Sequence, residues 1–179
     1  MSGIKMSFVF LFSIVSLVLL SGCAGTSPTA EFKKPISDIH RLCLTDEAAV
    51  ILVAADGVVL DDVNRQRLES RLLQAINDKK KTVQCQTSDK RAFVLNSKIT
   101  MYDEGNAFAR FMLAGLGQIH IDGDFVLSIQ PAVNESVAEF IVRKTFAWGG
   151  LYGGSITIAD VEPAFAEGVA DAIVAQGQR

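Results

Sequence analysis

Residues 119–130 alternate in polarity: Ile119, Ile121, Phe125, Leu127 and Ile129 fall on one side, and His120, Asp122, Asp124, Ser128 and Gln130 on the other. A period of two sends successive side chains to opposite faces of a strand. Residues 133–146 repeat the pattern, with Ala138, Phe140, Val142 and Phe146 in register and Asn134-Glu135 as the turn between. The pair predicts an antiparallel hairpin with one dry face and one wet face. A dry face cannot stand alone in water, so other elements of the chain must cover it.

Two helices are predicted to do so. The first runs from an Asp61 or Asp62 cap to about Asn77, with Leu68, Leu72, Ala75 and Ile76 on one face, and ends in Asp78-Lys79-Lys80-Lys81. Three lysines suit the negative end of a helix dipole. The second carries Val161, Phe165, Val169, Ala172, Ile173 and Gln176 near one stripe. Pro163 is tolerated only in a first turn. That favours Asp160 over Thr157 as the cap and a start near Val161. Further strands are expected from residues 39–44 and 49–54, from 82–86, and from 91–102, where Phe93, Leu95, Ile99 and Met101 share a face.

The N-terminus has its own grammar. Lys5 precedes an uncharged apolar run, residues 6–20, and then Leu20-Ser21-Gly22-Cys23. This reads as a lipoprotein signal peptide, residues 1–22, cut before a lipid-bearing Cys23. The run is shorter than the roughly 20 residues of a spanning helix. Ala24, where an Asp would mark inner-membrane retention, favours the outer membrane, facing the periplasm. Stable attachment needs at least two acyl chains, and lipoproteins of this type carry two or three on the cysteine. Residues 23–35 hold the cysteine and a small, polar stretch with Pro28 and Pro35, expected to be a flexible tether. Residues 36–179 form the folded domain. The expected class is α+β: a single domain with a mainly antiparallel sheet and two main helices.

Cleavage leaves 157 of 179 residues, enough for one core, and a formal charge of −4. That mild acidity gives no footprint for nucleic acid. Cys43 and Cys85 remain beside Cys23. In an oxidising compartment they can pair; two separate buried thiols are the alternative.

Two segments resist assignment: 104–118, EGNAFARFMLAGLGQ, and 147–155, AWGGLYGGS. With the strand between them, the following AEFIVRKTF and the helical end, they resemble bacterial envelope lipoproteins of the domain of unknown function 4410 (DUF4410) type. The resemblance spans roughly residues 36–175 and implies a small α/β lipoprotein domain without assigned activity.

The usual chemical signatures are weak. Gly115-x-Gly117 precedes a strand, whereas a dinucleotide fingerprint follows one. His40 and His120 have no close Cys or Glu at metal-ligand spacing. Asp122 and Asp124 read as exposed polar alternation. Ser155 lacks the nucleophile-elbow frame, and Asn134-Glu135-Ser136 reads as a turn. No cofactor, metal or catalytic set is expected. Arg110 could grip an anionic group or serve as a structural partner of Asp103, Glu104 or an aromatic ring. Trp148 and Tyr152 suit a binding hot spot or a cap on the core. Because an antiparallel pair sets one strand's start beside the other's end, both segments should emerge at one edge, with Arg110, Trp148 and Tyr152 on a shared surface. The expected function is a non-catalytic adaptor or structural module that binds another envelope component. The alternative is a carrier of lipid or another apolar ligand, with Phe108 to Leu116 as its cover. Oligomeric state is left open.

Overall fold

The computed structural model describes residues 27–85, 89–113, 115–130 and 135–174. Cys23, the signal segment, Asn134 of the expected turn and Gln176 lie outside the described residues. Five strands, β1 (Thr29–Lys34), β2 (Glu47–Ala54), β3 (Ala92–Asp103), β4 (Ile119–Ile129) and β5 (Ser136–Phe146), form one sheet in the order β1-β5-β4-β3-β2. The β2–β3 pair is parallel and the other pairs are antiparallel. Four α-helices accompany it: α1 (Asp62–Lys80), α2 (Ala107–Met112), α3 (Gly150–Ser155) and α4 (Ile158–Ile173). The class is α+β, with α1 and α4 as the main helices.

The hairpin has the expected register, from Ile119↔Phe146 through Phe125↔Phe140. Its dry face meets α4: Phe125 stacks on Phe140 with centroids 5.2 Å apart and approaches Phe165 at 6.0 Å. Leu68, Leu72 and Ile76 of α1 complete the core.

One buried carboxylate staples the two helices to the sheet. Glu162 of α4 is fully buried. Arg67 donates to it through Nε at 2.8 Å and Nη2 at 3.0 Å, and Tyr102 donates its hydroxyl at 2.7 Å. Arg71 Nε lies 3.0 Å away. Burial first, and the Glu162 carboxylate second, push the Tyr102 phenol well above its ordinary range. Glu162, Phe165, Ala166, Val169 and Ile173 are all buried at helical spacing, so the stripe itself could have flagged this acid.

Several expectations change. Thr29–Lys34, expected in the tether, is an edge strand on β5, held partly by Arg143 and Glu31 at 2.9 Å. The 39–44 piece is no strand: Asp38–His40 is a 3-10 turn, and Leu42 bridges to Val174. Residues 82–85 are likewise turn and coil. Met101 leaves the dry face because the register shifts between Ile99 and Met101; one extra residue turns the next side chain over. A second shift, between Leu127 and Ser128, leaves Val137 as the extra residue on β5; Ser128 is buried there and Ile129 still packs against the core.

The last helix starts earlier than expected, at Ile158, with Thr157 as its cap. Thr157 and Asp160 form a reciprocal capping box that offsets the bond lost at Pro163. Hydrogen bonds from the Thr157 backbone N–H and hydroxyl hold the Asp160 carboxyl below its ordinary value.

Cys43 and Cys85 form a disulfide, with their Cα atoms 5.2 Å apart. Beside it, Asp46 receives Arg91 through Nε at 2.9 Å and Nη2 at 2.6 Å, and accepts the Cys43 N–H at 2.9 Å. The bridge closes a separation of 42 residues, which corresponds to at most about 4 kcal/mol by loop entropy. Either Cys→Ser change should therefore abolish the mobility difference between reducing and non-reducing gels and lower stability in denaturant titration. Unchanged unfolding midpoints would contradict that role.

Candidate functional site

β3 ends, β4 begins and β5 ends at the same edge, as Asp103↔His120 and Ile119↔Phe146 show. The two glycine-rich segments therefore leave the sheet side by side. Each folds into one short helix, α2 and α3, and the two pack against each other. Asn106 caps α2, its side chain accepting from the Ala109 N–H at 2.9 Å.

Arg110 locks this pair. It is 1% exposed. Its Nε donates to the Gly153 carbonyl at 2.9 Å and its Nη2 to that of Ile156 at 2.9 Å. Nη1 donates to the carbonyls of Glu104 at 2.7 Å and Gly117 at 2.6 Å. Four carbonyls from both segments thus converge on one planar fork, the geometry in which arginine cannot be replaced by lysine. The glycines are needed for this closure. Gly117 has φ +67°, and a Cβ there would lie 2.3 Å from the Asn106 carbonyl oxygen; a Cβ on Gly153 would lie 1.9 Å from that of Trp148.

The shared end expected for the two segments is present, but Arg110 is not on its surface. Its donors go to backbone oxygens instead of the carboxylates of Asp103 and Glu104, and main-chain carbonyls shielded from water need such partners. Trp148 and Tyr152 do lie outside, edge to face at 5.7 Å. Around them stand Phe108, Met112, Leu116 and Leu151, with Phe108 72% and Leu151 82% exposed. Phe108, Met112, Leu113 and Leu116 thus face outward. Residues 105–118 and 147–159 carry one charge between them, the buried Arg110. Soluble domains rarely expose contiguous apolar surface of this kind without a use for it.

Several polar groups elsewhere are committed. The side chains of Cys43, Asp46 and Cys85 gather within 4.8 Å of one another, yet both sulfurs are bonded together and Asp46 is held by Arg91. His120 shares a 3.1 Å contact with Thr145, and His40 one of 2.9 Å with Ser37. A groove of about 450 Å³ between α1 and α4 is lined by Arg71, Asp78, Lys79, Glu167 and Asp171, charges of both signs around a small-residue floor.

Arg110→Met should remove the side-chain donor to the carbonyls of Glu104, Gly153 and Ile156, at about 1–3 kcal/mol for each that stays shut off from water. Thermal melting should fall steeply, and more than for Trp148→Ala, whose ring is partly in solvent. Equal melting temperatures for Arg110→Met and the parent would remove Arg110 from this structural role.

Comparison with known proteins supports the fold directly. No curated protein matches the chain at a significant level. Among solved structures, the PelC dodecamer from Paraburkholderia phytofirmans matches with TM-score 0.51 and 12% identity, over 83% of this chain and 99% of that one. A point variant of it matches with TM-score 0.51 and 13% identity over the same shares. A Caulobacter crescentus chain, provisionally described as a lipoprotein, reaches TM-score 0.37 at 14% identity over 68% and 82% of the two chains, too low to carry an argument. Residues 60–150 match the profile of a domain of unknown function, DUF4410, covering β3, β4, β5 and both glycine-rich helices' approach to the site. On that match, over half its length, the chain belongs to the DUF4410 family.

Proposed function

We propose that the protein is a non-catalytic structural or adaptor module of the bacterial envelope, anchored at the outer membrane through an acylated Cys23 and acting by contact with other proteins, its own copies included. The lipobox at residues 20–23 supports the anchor. Among the described residues no helix is long and apolar enough to cross a membrane. The commitment of Asp46, Arg110 and Glu162 to structural hydrogen bonds and ion pairs favours a non-catalytic role.

The observation that carries the reading is the edge strand β2, EAAVILVA. It has no proline and one charge, at its first position. Ile51 and Val53 are half exposed beside it. Natural sheets guard their edges with charges, prolines and bulges. β1 has such guards in Glu31, Lys33, Lys34 and the irregularity after Phe32, whereas β2 has only Glu47 at its start, which favours cover of the rest by another strand.

The strand order adds direction. β2 runs with β3 and β5, and β1 runs against them. Copies standing side by side, with the same end toward the membrane, can therefore pair β1 to the next β2 in antiparallel fashion. Such head-to-tail contacts either close into rings or extend as filaments. The dodecamers of the PelC neighbours support assembly by this fold.

The detergent-solubilised lipoprotein should scatter light as an oligomer. Ile51→Lys should return it to monomers with unchanged circular dichroism, and crosslinking in intact cells should capture neighbouring copies or another envelope protein. A monomeric parent that captures nothing would overturn the assembly reading. Separately, Cys23→Ser should abolish fatty-acid labelling; retained labelling would overturn the anchor.

A further inference from the structure

We propose that the uncharged shelf formed by α2 and α3 is a membrane-contact surface that sits in the headgroup region of the bilayer holding the anchor. The inference rests on the acylated Cys23 put forward above and adds where the domain meets the lipid.

Chain direction carries the argument. β1 starts at Thr29, paired with Arg143, three residues before β5 ends at Phe146. The chain thus reaches the sheet at the end where α2 and α3 sit. Five residues lie between Cys23 and Thr29, so the six Cα steps reach about 20 Å when fully extended. That is shorter than β3 and β4 are long, at 12 and 11 residues and about 3.3 Å per residue. An anchor on so short a leash turns this end of the domain toward the bilayer and the β4–β5 turn away from it.

The chemistry of the shelf fits a lipid surface. Phe108, Met112, Leu116, Trp148, Leu151 and Tyr152 are exposed there. Across residues 105–118 and 147–159 the single charge is Arg110, and it is buried. Tryptophan and tyrosine favour the membrane–water boundary, where a ring can lie in apolar surroundings with its polar atom wet. Apolar side chains on short amphipathic elements enter only the headgroup and upper acyl region. The Arg110 clamp keeps the two helices closed, so backbone polar groups remain paired while the side chains face lipid.

Trp148 is the only tryptophan in the chain, so its fluorescence reports on the shelf alone. The probe is the acylated, full-length mature protein reconstituted into vesicles of phosphatidylethanolamine and phosphatidylglycerol. Its emission should shift to the blue relative to detergent-free Cys23→Ser protein, and brominated acyl chains in the vesicles should quench it. Phe108→Asp combined with Leu151→Asp, both changes at exposed positions, should lose the shift and the quenching while the protein still floats with the vesicles. Failure to float would overturn the anchor itself. Flotation without quenching would overturn the shelf proposal and leave the anchor standing. A blue shift that grows with protein concentration in the absence of lipid would assign the shelf to a protein partner instead and likewise overturn it.

Discussion

Four backbone carbonyls from two separate segments end on one guanidinium, and the whole β3–β4–β5 end of the molecule depends on that convergence. Arg110 joins the chain leaving β3 to the chain leaving β5 through the oxygens of Glu104, Gly117, Gly153 and Ile156. Neither α2 nor α3, at six residues each, is long enough to be stable by propensity alone. Their stability comes from packing on each other, and the arginine satisfies the carbonyls that so short a helix leaves open. A buried cation without a carboxylate is costly, and multiple short, charge-assisted bonds to carbonyls offset that cost.

The two buried carboxylates work differently. Glu162 and Asp46 are both carboxylates fully removed from water, and both are met by arginines that remain partly exposed. This arrangement keeps one end of each pair hydrated, so only the acid bears the full desolvation penalty. Glu162 ties α4 to α1 and β3; Asp46 ties the start of β2 to the residue before β3 and to the disulfide. The parallel β2–β3 pair, which has no hairpin to set its register, is thereby pinned at its first rung.

The sequence was most legible where burial follows a simple period. The β4–β5 hairpin, the α1 face and the α4 stripe could all be read from spacing, because one side of each packs on a common core. Legibility failed where a non-local partner or one inserted residue decides the outcome. β1 is charged and fully exposed; it is a strand because β5 offers backbone partners and Arg143 meets Glu31, which no local pattern announces. Met101 faces outward because a bulge at Thr100 resets the alternation. The start of α4 is hard to read because Pro163 argues for a late start while the Thr157–Asp160 box, which spacing alone does not weigh, secures an early one. For Arg110 the sequence revealed an arginine among apolar residues and glycines. It could not reveal that its partners are main-chain oxygens, since every residue carries one.

Orientation unites the two surfaces. The edges β1 and β2 point in opposite directions along the sheet, and the shelf and the start of β1 share one end. A twofold axis pairing β2 with β2 would turn one copy upside down and carry its shelf and its leash away from the bilayer. Translation-like pairing of β1 with the next β2 keeps every shelf and every leash on the same side. With the proposed anchor at Cys23, a β2–β2 twofold pairing would be disfavoured and the contact of β1 with the next β2 favoured, in which the guarded edge of one copy meets the barer edge of the next. Phe32, stacked at 5.5 Å on Phe140 at the outer edge of the core, then lies where the core-facing Val50 and Leu52 of an incoming β2 would extend the dry face from one copy into another.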